Sequence, residues 1–182
     1  MKPELMKIKR LESGLTVAPL LWALQENPHL WDEHTQRTAG QDSPHNGLSD
    51  IFVRYAADPN EHGPHESVWY PCADILPVRQ LIYPLMQFVH AEALGGVLIT
   101  KIPAGATCKP HTDPGLHARK YEKFAIQIQS APGQMFCFDG GSLEARPGDL
   151  FWFDNSQTHW VTNQTPHDRI TMIICLQVDK GV

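Results

Sequence analysis

The second half of the chain is a series of short apolar runs separated by turn-forming residues. Gly, Pro, Asp and Asn dominate the intervening segments, such as PAG, APG, DGG, RPGD, DNSQ and TPHD. Many short strands at this spacing are typical of a β-sandwich or a β-barrel. The predicted strands are GVLITKI (96–102), FAIQIQ (124–129), QMFCF (134–138), LEA (143–145), DLFWF (149–153), HWVTN (159–163) and RITMIICLQV (169–178).

The first half has a different pattern. Apolar residues spaced by three and four positions between residues 81 and 89 predict a helix that starts near Asp74 and Pro77. We expect this helix to stop at Gly95-Gly96, because glycine is the commonest residue just past a helix C-terminus. We therefore predict one domain, divided into an N-terminal helix and loop cover (1–94) and a β core (95–182).

The segment 25–70 is rich in Pro, His, Asn, Asp and Trp and is predicted to be an ordered loop region. The run DIFVRY (50–55) predicts a strand within it. Strict alternation would place Ile51, Val53 and Tyr55 on one face of this strand, and Asp50, Phe52 and Arg54 on the other.

Composition indicates an ordinary globular protein. The 182 residues carry a formal charge of −5 and contain no block of Lys or Arg, which disfavours a nucleic-acid-binding surface. No apolar stretch approaches the ~20 residues needed to cross a bilayer. The four cysteines are scattered without a C-x-x-C pair, so we predict free thiols and a reduced, cytoplasmic protein.

The chemistry is carried by three residues. His111-Thr112-Asp113 is an H-x-D motif, and on an extended segment residues two apart point to the same face. His159 begins a later strand-like run, after a P-G-D turn, an apolar strand and a polar turn. Two imidazoles and one carboxylate form the facial triad that binds Fe(II) with open coordination positions. We predict that His111, Asp113 and His159 bind iron.

With this pattern, residues 95–178 resemble the 2-oxoglutarate oxygenases of the aspartyl/asparaginyl β-hydroxylase-like branch. The resemblance implies a double-stranded β-helix, which is the jelly-roll or cupin-like barrel. It also implies that the iron works with 2-oxoglutarate as co-substrate and with O2. The animal aspartyl hydroxylases have glycine at the carboxylate ligand, whereas this chain has Asp113 and resembles the three-ligand form.

The same resemblance implies a co-substrate site. Arg169 would pair with the distal carboxylate of 2-oxoglutarate, and Thr171, two residues further along the same strand face, would be a hydroxyl donor. Lys123 and Thr100 fall near positions that contact the co-substrate in the β-hydroxylases. A planar guanidinium suits this role, because it can bind a carboxylate through two hydrogen bonds.

The same residues also allow other interpretations. His159 can be a structural histidine at a barrel rim, Arg169 a surface ion-pair partner, and Lys123 or Thr100 an ordinary strand residue. The whole chain can be a metal-binding cupin enzyme that does not use 2-oxoglutarate, or a non-catalytic binding or sensor module. A cupin without the co-substrate has no need for a buried cation at position 169.

The substrate is predicted only by class. The resemblance implies an amino-acid side chain, free or in a peptide, that bears a carboxylate or an amide. Arg37, Arg54, Trp31 and His45 in the loop-rich first half are the candidate substrate residues. The alternative is that the tryptophans pack on the outer sheet and the arginines pair with nearby aspartates.

Overall fold

The structure is a computed structural model that describes residues 7–61, 66–113 and 115–178. The strands within these ranges are β1 (Ile8–Glu12), β2 (Ser49–Ala56), β3 (Ser67–Trp69), β4 (Ala91–Ile102), β5 (Thr107–His111), β6 (Glu122–Gln129), β7 (Gln134–Phe138), β8 (Gly141–Leu143), β9 (Leu150–Phe153), β10 (His159–Asn163) and β11 (Arg169–Val178). The helices are α1 (Ala18–Glu26), α2 (Cys72–Ile75), α3 (Arg79–Phe88) and α4 (Gly115–Lys120), with a 3-10 turn at Pro28–Leu30.

These strands form two antiparallel sheets. The larger has the order β1-β9-β6-β11-β4-β2-β3, and the smaller has the order β5-β10-β7-β8. Several neighbours are distant in sequence, since β11 lies between β4 and β6 while β10 lies between β5 and β7. This interleaving is that of a double-stranded β-helix, so the predicted fold is confirmed.

Alternation along the strands divides the hydrophobic core into two clusters. On one face of the larger sheet, Ile99 of β4 belongs to the same cluster as Ile82 of α3. Between the two sheets, Phe151 of β9 belongs to a second cluster with Phe136 of β7. Each such buried side chain contributes about 1.5–3 kcal/mol, so the inner cluster fixes how the two sheets face each other.

The predicted helix end at Gly95-Gly96 is wrong. Helix α3 ends at Phe88. His90, two residues further on, adopts a left-handed backbone conformation (φ 52°), which glycine usually supplies just past a helix C-terminus. Both glycines lie inside β4. A Cβ atom at position 95 would lie 3.0 Å from the Tyr121 ring and 3.1 Å from Cβ of Cys175, so this glycine permits close packing.

The first half of the chain is also part of the sheet. Strand β4 spans the predicted division near residue 95, and β1, β2 and β3 all join the larger sheet. A β-bulge between Phe52 and Arg54 interrupts the alternation that the sequence predicts for β2. Among the described residues, no helix has the length and apolarity required to cross a membrane.

Candidate active site

The two histidines of the H-x-D…H pattern lie at adjacent strand ends. His111 closes β5 and His159 opens β10, and the two residues are direct cross-strand partners with ring centroids 4.4 Å apart. The backbone N–H of Asp113 donates to Asn155 O at 3.0 Å, which ties the segment after β5 to the turn before β10. Ligand atoms of His111, Asp113 and His159 all lie within 4.8 Å of one another.

Backbone carbonyls orient both imidazole rings. Nδ1 of His111 lies 2.7 Å from Lys109 O, and Nδ1 of His159 lies 2.9 Å from Gln157 O. A carbonyl oxygen only accepts hydrogen bonds, so Nδ1 carries the proton on each neutral ring. The lone pair of each ring is therefore on Nε2. In His111 this atom lies 3.7 Å from Asp113 Oδ1.

The surroundings favour the protonation states that a metal needs. Burial lowers the pKa of His159, which favours the neutral imidazole. Burial alone would raise the pKa of Asp113, but nearby cationic groups, with Lys123 first among them, outweigh it and lower that pKa to about 2. Lys123 Nζ lies 3.4 Å from Asp113 Oδ2. At neutral pH Asp113 is therefore a carboxylate, and His159 is a neutral imidazole whose Nε2 can bind a metal.

The triad lines a cavity of about 250 Å³ between the two sheets. The inner face of β11 extends this site, because Ile173 and Cys175 line the cavity, and Arg169 and Thr171 lie on the same face by alternation. Arg169 is only 3% exposed. Burial lowers its pKa to about 10, so it stays charged at neutral pH.

Two hydrogen-bond donors of Arg169 are unpaired among the described residues. Its Nη1 donates to Thr171 Oγ1 at 2.7 Å, and Thr171 in turn donates to Gln127 Oε1 at 3.2 Å. Nε and Nη2 of Arg169 are buried and have no hydrogen-bond partner among the residues that the structure describes. Buried donors of a charged group are costly when unpaired, and two donors on one guanidinium match the two oxygens of a carboxylate.

The sequence places this chain among known oxygenases. The model of the family described as aspartyl/asparaginyl beta-hydroxylase matches residues 78–178. This chain belongs to the aspartyl/asparaginyl β-hydroxylase family. It is therefore a 2-oxoglutarate-dependent hydroxylase, as the sequence pattern predicted. A search of curated protein sequences finds no significant match.

Solved structures share the fold of this β-hydroxylase. An oxidoreductase of the 2OG-Fe(II) oxygenase family from Burkholderia pseudomallei is 12% identical, with a TM-score of 0.66 over 97% of this chain and 88% of the other. A prolyl-4-hydroxylase from Pseudomonas putida is 16% identical, with a TM-score of 0.59 over 96% and 94% of the two chains. A prolyl hydroxylase from Trichoplax adhaerens is 10% identical, with a TM-score of 0.60 over 96% and 84%. At these identities the likeness establishes the fold alone.

Two of the four predicted substrate residues of the β-hydroxylase lie at the cavity. Arg37 and His45 both line it, and the His45 ring centroid is 4.7 Å from that of His111. Burial, and then the charges of Arg37 and His111, lower the pKa of His45 to about 2. This imidazole is therefore neutral.

The other two lie elsewhere. Arg54 and Trp31 are not among the described residues that line the cavity. Arg54 donates to Gly95 O at 3.2 Å and lies over the Trp69 ring, beyond the β2 bulge. The Trp31 ring packs against the core and carries Lys101 Nζ 4.5 Å from its centroid. This is the packing role that the sequence left open for tryptophan.

Two buried polar residues hold predicted site residues: the pairing of Arg37 with a nearby aspartate was the predicted alternative, whereas Gln127 was missed. Asp50 is fully buried and accepts from Arg37 Nη1 and from Thr100 Oγ1, both at 2.7 Å. Thr100 lines the cavity, but its hydroxyl hydrogen points to Asp50. Gln127 is also fully buried and holds Thr171. In both cases the available signal was a polar residue inside an otherwise apolar strand.

Proposed function

We propose that this β-hydroxylase binds one Fe(II) through His111, Asp113 and His159 and uses 2-oxoglutarate and O2 to hydroxylate an amino-acid side chain. The residues fit the metal, because ligand atoms of two imidazoles and an ionised carboxylate lie within 4.8 Å of one another, and Nδ1 of each imidazole faces a backbone carbonyl, which leaves Nε2 for the metal. With the metal bound, the reaction inserts one oxygen atom of O2 into a C–H bond and converts 2-oxoglutarate to succinate and CO2.

The unpaired buried donors of Arg169 are the main support for this proposal. Its unpaired Nε and Nη2 point to a carboxylate ligand, and we assign them to the distal carboxylate of 2-oxoglutarate. Thr171 and Gln127 hold the guanidinium in place, so Thr171 acts on the co-substrate through Arg169. Lys123 keeps Asp113 ionised and adds a cation to a pocket that receives a dianion.

The substrate belongs to the class that the family name gives, a side chain like that of Asp or Asn in a free amino acid or a peptide. Arg37 lines the cavity and supports this class, because a partly exposed guanidinium can bind a carboxylate or a carbonyl oxygen. Asp50 and Thr100 would hold Arg37 in position. A peptide substrate agrees with the Trichoplax prolyl hydroxylase, whose structure contains a peptide from hypoxia inducible factor.

Anaerobic calorimetry and an assay of succinate release test the assignment. Asp113→Ala should remove iron binding, whereas Arg169→Ala should retain iron and lose about 2–5 kcal/mol of 2-oxoglutarate binding. Arg146→Ala removes an exposed arginine and is the matched control. Unchanged 2-oxoglutarate affinity in Arg169→Ala would favour a cupin enzyme that does not use this co-substrate.

A further inference from the structure

Every second residue in the last part of β4 faces the active-site cavity, as alternation along a strand requires. The cavity is lined on this strand by Gly96, Leu98, Thr100 and Ile102. The neighbouring strand β11 is antiparallel to β4 and pairs Arg169 with Ile102 and Ile173 with Leu98. The two strands therefore form one continuous wall of the cavity.

The two ends of this wall have different surroundings. The buried guanidinium of Arg169, which we assign to the distal carboxylate of 2-oxoglutarate, belongs to the end at Ile102. A strand rises about 3.3 Å per residue, so Gly96 lies about 20 Å along β4 from Ile102. A five-carbon diacid is much shorter than this distance. A co-substrate held at Arg169 therefore leaves the Gly96 end of the wall open to a second molecule.

Gly96 is connected to the triad through cavity-lining side chains. A Cβ atom at position 96 would lie 3.8 Å from Nε2 of His117 and 3.9 Å from Sγ of Cys175. Cys175 is the direct cross-strand partner of Lys123, and Lys123 Nζ lies 3.4 Å from Asp113 Oδ2. All five residues line the same cavity. The space in front of Gly96 is therefore close to the proposed iron ligands.

Neither the backbone nor the packing requires glycine at position 96. Its φ lies outside the left-handed region, and the nearest contact of a Cβ atom would be an ordinary 3.5 Å to Arg54 O. The register between β4 and β11 shifts near this position, but a bulge requires glycine only where φ is positive. Glycine inside a strand also marks places where a ligand comes close to the backbone. A ligand in front of Gly96 is the explanation that remains.

We propose that Gly96 determines substrate specificity. The side chain to be hydroxylated passes in front of the Gly96 Cα atom, and any side chain at position 96 reduces the size of the substrate that the cavity admits. Leu98 and Ile173 are the adjacent apolar residues of the wall, and they suit the methylene groups of the substrate side chain. This inference rests on the proposed function, because it places the co-substrate at Arg169.

Alkylation of Cys175 by iodoacetamide measures the space in front of Gly96. Peptide mapping by mass spectrometry separates this thiol from the other three cysteines. Protein loaded with Mn²⁺ and 2-oxoglutarate should still be labelled at Cys175, because the co-substrate occupies the Arg169 end of the wall. Gly96→Val should slow this labelling at least about tenfold, since the valine methyl groups fill the space beside Cys175 Sγ. Labelling of Cys137, which is not among the cavity-lining residues, should not change.

Gly141→Val is the matched control. Gly141 also lies in a strand, its Cβ position has no neighbour within 4 Å, and it does not line the cavity. Equal labelling rates at Cys175 in Gly96→Val and in the unmodified protein would overturn the inference. Complete protection of Cys175 by Mn²⁺ and 2-oxoglutarate would also overturn it, as would a lack of labelling in the unmodified protein without them.

Gly96→Ala is the second variant, in case Gly96→Val does not fold as judged by circular dichroism. Peptides of one sequence with Asp, Asn, Glu or Gln at the central position are assayed by mass gain of one oxygen. Gly96→Ala should lower kcat/KM about tenfold or more for the best of these peptides, chiefly by raising KM. The loss should be greater for Glu and Gln than for Asp and Asn. An unchanged KM, or an equal loss for short and long side chains, would overturn the inference.

Failure of the proposed function gives a different result. If the unmodified protein binds neither iron nor 2-oxoglutarate by calorimetry, the proposed function fails. The rate of Cys175 labelling in the protein without added metal or co-substrate, compared between Gly96→Val and Gly141→Val, then still decides whether Gly96 keeps this end of the cavity open.

Discussion

Single side chains in this protein are positioned by main-chain geometry and by buried polar partners. The two imidazoles of the proposed iron site are held by carbonyls two residues earlier in the chain, and Arg169 is held by Thr171, two residues later. The H-x-D…H spacing was enough to predict that His111, Asp113 and His159 lie close together. The pairing of Arg37 with a nearby aspartate was an open alternative, but the role of Gln127 could not be predicted, because its partner Thr171 lies 44 residues away.

Asp50 gives a prediction at this scale. Asp50→Asn keeps the size of the side chain but removes the charge that Arg37 binds. Hydrogen bonds to charged groups contribute about 1.5–3 kcal/mol, so KM for a carboxylate-bearing substrate should rise about tenfold or more. Decarboxylation of 2-oxoglutarate without substrate should change little. Steady-state kinetics on a peptide panel, read by mass gain of one oxygen, measures both.

The control for this variant is Asp42→Asn, which changes an exposed aspartate in the same loop region. An unchanged KM in Asp50→Asn, with the fold intact, would mean that Arg37 does not bind the substrate or does not need Asp50.

The low pKa of Asp113 predicts that the free energy of unfolding of the metal-free protein depends on pH. Its pKa is lowered from 3.8 to about 2 in the folded state. Its contribution to the free energy of unfolding is therefore complete above pH 3.8 and is lost as the pH falls through about 2. The shift corresponds to about 2 kcal/mol. Urea unfolding of chelator-treated protein between pH 5 and pH 2 measures this effect. The free energy of unfolding should fall less with acid in Asp113→Asn than in the unmodified protein. An equal fall in both proteins would contradict the low pKa of Asp113.

At the scale of elements, the strands of the barrel were easier to predict than its edges. The bounds of β7, β10 and β11 match the apolar runs in the sequence, because buried strands bounded by turn residues leave a clear pattern. The short strands β1, β3 and β5 were missed, since all three are partly polar sheet edges and β5 also contains Pro110. The β2 bulge also lies outside what alternation can predict.

Gly95 gives a prediction for β4. A methyl group at this position meets the Tyr121 ring at 3.0 Å and Cβ of Cys175 at 3.1 Å, and the latter belongs to the adjacent strand β11. Gly95→Ala should therefore lower the free energy of unfolding by about 1–3 kcal/mol. Gly96→Ala is the matched control, because its nearest contact is 3.5 Å away. Equal stability of the two variants by chemical denaturation would show that the Tyr121 ring moves without cost.

For the whole molecule, the jelly roll brings together residues from segments that are far apart in the chain. β5, the segment that follows it and β10 supply the triad, β6 and β11 supply Lys123 and Arg169, and the loop before β2 supplies Arg37. The composition and strand pattern predicted the architecture. They could not predict that the first half of the chain adds strands to the larger sheet, because pairing of β2 with β4 depends on contacts about 50 residues apart.

Ligand-linked stability is the prediction at this scale. A ligand that binds only the folded state stabilises the protein by about 2.7 kcal/mol when its free concentration is a hundred times its Kd. Under anaerobic conditions the Tm should rise when Mn²⁺ is added as an inert substitute for iron, and should rise again when 2-oxoglutarate is added. Arg169→Ala should keep the first increment and lose the second. Loss of both increments would assign Arg169 to the metal site or to the fold.

The backbone carbonyls behind the two imidazoles have an evolutionary consequence. Many metal proteins orient a histidine ligand through a neighbouring carboxylate, and mutation of that carboxylate weakens the metal. Here residues 109 and 157 contribute only their peptide groups, and the side chain of Lys109 is exposed. Substitution of those side chains would therefore leave the hydrogen bonds to both imidazoles in place. The sequence at these two positions can thus drift, while the orientation of the proposed iron ligands is inherited unchanged.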